Sequence, residues 1–246
     1  MNYAIVTEKK ALLDSFRPLP KALLTNLTEW FRVELTYTSN ALEGNTLTAI
    51  ETAIIIEKGI TIGGKTIQEH LEATNHAKAF DFIMDFVKNG PGAITEKSIV
   101  HIHDIILKGI DDTNVGRYRN CAVRILGSRT VLPNPAKVPE LMVDFVTWLN
   151  STPIHPVELA ALAHYKLVTI HPFVDGNGRI ARLLMNLILL IHGYPPAVIS
   201  VADRAAYINA LEKAQIGGST DDYMNLIINA VNSSLDIYLD AVGVAH

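Results

Sequence analysis

The chain has 246 residues, 49% of them hydrophobic, with 21 basic and 25 acidic side chains and a formal charge of −4. That length supports one large domain with a sizeable core, and the mildly acidic balance excludes a dominant basic footprint for nucleic acid. A single cysteine, Cys121, excludes an internal disulfide and any multi-cysteine metal site.

The chain opens with MNYAIVTEKK, which turns charged by Glu8, so no secretory leader is expected. After Pro18 and Pro20, residues 21–37 place apolar side chains at helical spacing, and a short polar stretch follows. Thr48, with Glu51 three residues on, opens a helix through Lys58 with a capping box. GITIGGKTI sets two glycines between β-branched runs and predicts a turn or small hairpin. Helix resumes over about 68–87 and stops at NGPG; Thr95 with Ser98 opens the next, which ends near Gly109. Residues 116–135 are rich in Val, Arg, Gly and Pro without a helical stripe, so an irregular segment with one β-hairpin at 123–131 is expected. Helices return at 139–150, 156–170, 179–192, 202–215 and 221–242. The expected fold is all-α with one small hairpin, divided into an N-terminal helical region, 1–90, and a core with C-terminal helices, 91–246. LLMNLILLI, 183–191, is too short to cross a bilayer and follows Arg182, so a soluble, cytoplasmic protein without a membrane partner is expected.

HPFVDGNGRIAR, 171–182, carries the chemistry. A residue before proline avoids the α region, so His171 should end the preceding helix. DGNG is a turn that points successive N–H groups into one concavity and feeds a helix N-terminus, which together make an anion site. Arg179 and Arg182, three apart in the first turn of that helix, oppose its dipole, and a bound polyphosphate reverses the penalty. Asp175 would repel a bare phosphate but suits Mg²⁺ riding on one. His171 is placed to take a proton from an attacking hydroxyl. No GxxxxGK[ST] occurs, which disfavours a P-loop nucleotidase.

These residues resemble the Fic signature HPFx[DN]GNGRxxR at every defined position. GRYR at 116–119, WLN at 148–150, HPVELAALAHYKLVTIHPF at 155–173 and LLMNLILLIHGYPP are also similar to Fic proteins, most of all to the metazoan endoplasmic-reticulum Fic type, over roughly 40–240. The resemblance implies a mostly helical protein that transfers AMP from ATP to a Ser, Thr or Tyr hydroxyl of a protein target, itself included. It implies His171 as base, Asp175 as Mg²⁺ ligand, and Gly176, Asn177 and Gly178 as the phosphate loop. Arg179 and Arg182 would hold phosphates, with Ile180 and Ala181 between them, and Phe173 would anchor the loop. Arg124, Ile125, Leu126, Gly127 and Ser128 resemble the flap that pairs with the target main chain. Tyr207 and Gln215 resemble adenine-side residues, although Gln215 stands where an asparagine is expected.

A second motif precedes the core. Residues 39–44 read as a helical turn of weak formers ending at Gly44, which puts the Glu43 carboxylate at the unfavourable end of a helix dipole and calls for an external cation. The match of Ser39, Glu43 and Gly44 resembles the Fic inhibitory motif [ST]xxxE[GN], which implies that Glu43 pairs with Arg182 and blocks placement of the γ-phosphate. An autoinhibited enzyme is therefore expected, with removal of AMP as a lesser activity. Two alternatives stay open: a Fic-fold transferase of UMP, phosphate or phosphocholine, and a regulatory protein without catalysis. His164, seven before His171 and able to share its face, reads as a core residue or one that supports the site from behind rather than as a ligand, Glu69 and Glu72 as a solvated face, and Cys121 as structural; His101 and His103, two apart, point to different helix faces. Neither a winged helix after Val242 nor an anchor or tetratricopeptide repeats before the core are expected, and homodimerisation is left open.

Overall fold

In the computed structural model, which describes residues 2–244, the chain forms ten α-helices and two 3₁₀ turns, with no strand among the described residues. The helices are α1 (Ala4–Asp14), α2 (Lys21–Leu42), α3 (Ala49–Lys58), α4 (Ile67–Lys88), α5 (Glu96–Leu107), α6 (Val138–Ser151), α7 (Pro156–Ile170), α8 (Asn177–Ile191), α9 (Arg204–Gln215) and α10 (Asp221–Ala241). The starts follow the sequence signals. Thr48, Thr66 and Thr95 each accept an N–H three residues on, and Glu51, Glu69 and Ser98 return the bond. The His155 side chain caps α7, with Pro156 in its first turn.

α8 is the central element. Ile180 through Leu189 are all buried, and the helix packs against α7 and against α2, α4 and α5. Its polar side chains Arg179, Arg182 and Asn186, spaced three and four apart, form one buried stripe, and the apolar remainder of the helix requires such a position. No helix among the described residues is long and apolar enough to cross a membrane. One apolar cluster runs from Val6 on α1 to Leu239 on α10, and a small satellite of Leu47, Ile55 and Ala73 lies beneath α3.

Three expectations change. α1 has no counterpart among the expected helices: it buries only Val6 and Leu13, seven apart, among charged residues, and docks on α10 with Lys9 paired to Asp236. α2 runs unbroken to Leu42, so the helical turn expected at 39–44 is the last turn of the helix that begins at Lys21, and Thr38, Ser39 and Asn40 are buried polar residues facing other helices. The hairpin at 123–131 does not form a ladder. Its tip turns at an Ile125 carbonyl to Ser128 N–H bond of 3.1 Å, but the arms do not pair, and the arm beyond the tip is held by side chains of α9. The glycine-rich segment before α4 is a turn, pinned by the Ile62 N–H donating to His70 Nε2 at 2.9 Å.

Candidate active site

His171 ends α7 in the left-handed region, φ 52° and ψ 60°, the one non-glycine residue with positive φ among those described. A strained backbone at this point needs support, and Arg119 supplies it. The buried Arg119 guanidinium donates to the carbonyls of His171 (2.7 Å), Cys121 (3.1 Å) and Pro133 (2.7 Å), while its own N–H donates to Pro172. One side chain thus ties both arms of the flap to the histidine loop. The His171 Nδ1–H donates to the Val168 carbonyl at 3.3 Å, which leaves Nε2 as the proton acceptor. Burial pushes the His171 pKa below its usual value, so the ring is neutral near pH 7.

The next residues build a cradle. Phe173 is fully buried and stacks on His103 with ring centroids 3.8 Å apart. Asn177 bonds the Phe173 N–H and carbonyl at 3.0 and 2.9 Å, so its side chain shapes the loop. Gly176 adopts φ 81° at the N-cap of α8 and has no side chain to cap it. That leaves the first N–H groups of α8, from Asn177, Gly178 and Arg179, for an anion. Ile180 and Ala181 contribute packing: both side chains are fully buried, and the Ile180 N–H is already bonded to the Gly176 carbonyl.

The arginines are not on the surface of α8. Arg179 and Arg182 are 3% and 5% exposed, and each meets a carboxylate. Arg179 donates to Asp175 at 2.9 Å and lies 3.5 Å from Glu72, while its Nε has no hydrogen-bond partner among the described residues. Such a donor surplus in a buried guanidinium suits phosphate oxygens. Arg182 donates from Nε to Ser39 Oγ at 2.9 Å, and from Nη2 to the Ser39 carbonyl at 2.9 Å and Glu43 Oε1 at 2.7 Å. Glu43 is the C-cap of α2, and its carboxylate sits over Gly178, where an added β-carbon would collide with it. The carboxylate therefore stands on the anion cradle itself.

The end of α2 is clasped from two sides. Arg204, at the start of α9, donates to the Leu42 carbonyl at 2.9 Å, and Asn45 donates to Glu72 at 2.8 Å. Glu72 is thus part of the site and not of a solvated face, whereas Glu69 stays at the surface: it accepts the Thr46 hydroxyl and the Thr66 and Thr46 N–H groups, which hold its pKa down to about 2. The role of Glu72 has no local signal, since Asn45 lies 27 residues away in sequence and its arginine is on α8.

The flap and α9 complete the enclosure. Leu126 is fully exposed at the tip, with Arg124 and Gly127 also exposed and Ile125 and Ser128 half-buried. The arm beyond the tip is latched: Arg129 N–H donates to Glu212 at 2.8 Å, and Thr130 donates to Gln215, which donates to Thr169 at 3.2 Å. Gln215 therefore joins the flap to the end of α7. Tyr207 is buried beside Arg182 rather than on an open wall. Among the described residues no three metal-binding side chains converge. Asp175, with its side chain 57% exposed at the cradle, is a single carboxylate of the kind Mg²⁺ uses when phosphate oxygens supply the rest.

The Fic/DOC family pattern matches residues 93–189, from the turn before α5 through α8. A curated protein of Drosophila willistoni named "Protein adenylyltransferase Fic" is 36% identical over 242 residues, covering 96% of this chain and 47% of its own length. One of the same name from Nematostella vectensis is 39% identical over 206 residues, covering 82% of this chain and 48% of its own. The chain thus spans about half the length of the curated relatives it matches. Among solved structures, Fic-1 of C. elegans superposes with a TM-score of 0.87 at 34% identity, covering 97% of this chain and 72% of that one. A Fic-domain signalling protein of Bacteroides thetaiotaomicron gives 0.87 at 30% identity, covering 99% and 100%. Family pattern, sequence identity and superposed helical scaffold agree across these comparisons, and the chain belongs to the Fic/DOC family.

Proposed function

We propose that this chain is a protein adenylyltransferase held in an inhibited state by its own Glu43. The observation that carries the reading is the convergence at one helix start: a neutral His171 with a bare Nε2, free α8 N–H groups, two buried arginines, and a carboxylate lying on the cradle they form. A nucleoside triphosphate suits this arrangement, with its phosphates on the α8 N-terminus, Arg179 and Arg182. A protein hydroxyl laid along the flap attacks the α-phosphorus, His171 Nε2 takes the hydroxyl proton, and pyrophosphate leaves. Asp175 would hold Mg²⁺, which supplies charge neutralisation on the phosphates when bound. The names of the curated relatives support ATP as the donor.

Arg182 cannot serve Glu43 and a terminal phosphate at once, because the carboxylate occupies the donor edge that the phosphate needs. Glu43→Gly removes the competitor. With α-labelled ATP, the variant is expected to label protein, in trans or on itself, well above the parent chain. UTP and CTP offered alongside test the base, and labelling from UTP in preference to ATP would replace AMP by UMP. Equal and negligible labelling from all three would overturn the transferase reading.

A further inference from the structure

α7 carries a second histidine, His164, fully buried and seven residues before His171. Both its ring nitrogens are engaged: Nε2 lies 2.7 Å from the Tyr207 hydroxyl on α9, and Nδ1 lies 2.8 Å from the Tyr223 hydroxyl on α10. Counting protons fixes the direction of each bond. A phenol has one proton to give. Tyr223 gives its proton to the Ala161 carbonyl at 3.0 Å, so its oxygen must accept the His164 Nδ1–H. Burial holds His164 neutral, with its pKa pushed down to about 3, so Nε2 is bare and accepts the Tyr207 O–H. The Tyr207 proton is then spent, so its oxygen is left as an acceptor toward the Arg182 guanidinium, whose charge acts on the phenol.

The result is a one-way chain that starts at Arg182: Tyr207 donates to His164, His164 to Tyr223, and Tyr223 to the α7 backbone. Every member is at most 5% exposed. Apolar side chains of similar volume would fill this space without the desolvation cost of a buried polar network, so packing alone does not account for it. Its one charged end is the arginine that Glu43 occupies. On the other side Arg182 is held by Ser39 and Glu43, so when Glu43 withdraws, Ser39 on α2 and Tyr207 on α9 are the neutral groups left to aim it.

We propose that His164, held by Tyr223, is a positioning residue that fixes Arg182 through Tyr207 in the orientation that receives the terminal phosphate of a nucleoside triphosphate. This rests on the assignment of Arg182 to the outer phosphates above. A side chain that only fills the core would, when altered, weaken every nucleotide alike. One that aims Arg182 affects the triphosphate more than the diphosphate.

The test uses the full chain carrying Glu43→Gly, with ATP and ADP affinities measured by calorimetry for His164→Leu, His164→Gln and Tyr223→Phe. His164→Leu is expected to weaken ATP by about tenfold, the worth of one well-placed charge-assisted hydrogen bond, and ADP by less than about twofold. His164→Gln, which restores a carbonyl acceptor near the Nε2 position, recovers part of the ATP loss. Tyr223→Phe keeps the ring and the packing and gives the same split at smaller size; if His164→Leu fails to fold, this variant decides. Equal losses for ATP and ADP, or a Gln variant no better than Leu, would overturn the relay. A Glu43→Gly parent that favours ATP but labels no protein counts against the AMP-transfer reading and not against the relay, which the ATP to ADP ratio decides.

Discussion

Arg182 is buried and charged, and under the proposed function it must serve both Glu43 and a phosphate. In the structure its charge is met by Glu43, whose side chain is 43% exposed, so the pair is partly screened. Removing the carboxylate leaves a buried guanidinium with Ser39 and Tyr207 as neutral partners. Glu43→Gly is therefore expected to lower the stability of the unliganded chain by about 1–2 kcal/mol, and ATP is expected to restore more stability to the variant than to the parent. Thermal melts with and without ATP check this, and an unchanged or raised melting temperature for the unliganded variant contradicts it. His171 supplies a second prediction at this scale. Its pKa is lowered chiefly by burial, so the imidazole stays neutral, and able to take a proton, to lower pH than a free histidine. In the Glu43→Gly background, the acid limb of the single-turnover rate should fall below pH 6.5, the ordinary histidine value; a limb above that pH would mean that burial does not govern the base.

At the scale of elements, the flap is a strap rather than a strand pair. Its arms are fixed by Arg119 at the base and by Glu212 and Gln215 on α9. Arg119→Ala leaves three partly buried carbonyls without their donor and should cost about 1–3 kcal/mol, with loss of the left-handed His171 conformation. Glu212→Ala should speed hydrogen exchange at the Arg129 amide, which donates to that carboxylate, while the amides of α8 stay protected. Unchanged exchange at Arg129 would show that the latch does not hold the strap. These elements also mark what was legible. Helix starts were, because a Thr with a Glu or Ser three residues on is a local signal. The cradle was legible too, since HPFVDGNGRIAR holds base, turn and arginines within twelve consecutive residues. α1 was not, because two buried positions seven apart make too thin a stripe. Glu72, Arg119 and Arg204 were missed for a different reason: each acts on a partner far away in sequence, and nothing in its own neighbourhood distinguishes it from a surface charge.

The whole molecule keeps three histidines neutral inside its core. His76, His103 and His164 have pKa values pushed down to about 3, 4 and 3, in each case chiefly by burial. The unfolded chain takes up protons that the fold refuses, starting near pH 6.5. Stability is therefore full above that pH and falls as the pH drops toward 4, by up to about 1.4 kcal/mol per pH unit for each histidine. Denaturant midpoints at pH 7.5 and 5 measure this, and a flat profile contradicts it. The same three side chains surround the arginines and the loop: His76 and His164 feel the charge of Arg182, and His103 stacks beneath Phe173. The core that stabilises the fold and the platform that shapes the site are thus one structure.

In the proposed inhibition, Glu43 holds the anion cradle closed against a reaction that His171 would otherwise drive. Transfer from α-labelled ATP by the parent chain, by Glu43→Gly and by the Glu43→Gly, His171→Ala double variant tests it most directly. The single variant should label protein strongly above the parent, and the double variant should fall by roughly 10²-fold or more, the ordinary worth of a positioned general base. Labelling that is the same in the parent and in Glu43→Gly, or that survives loss of His171, would contradict the account.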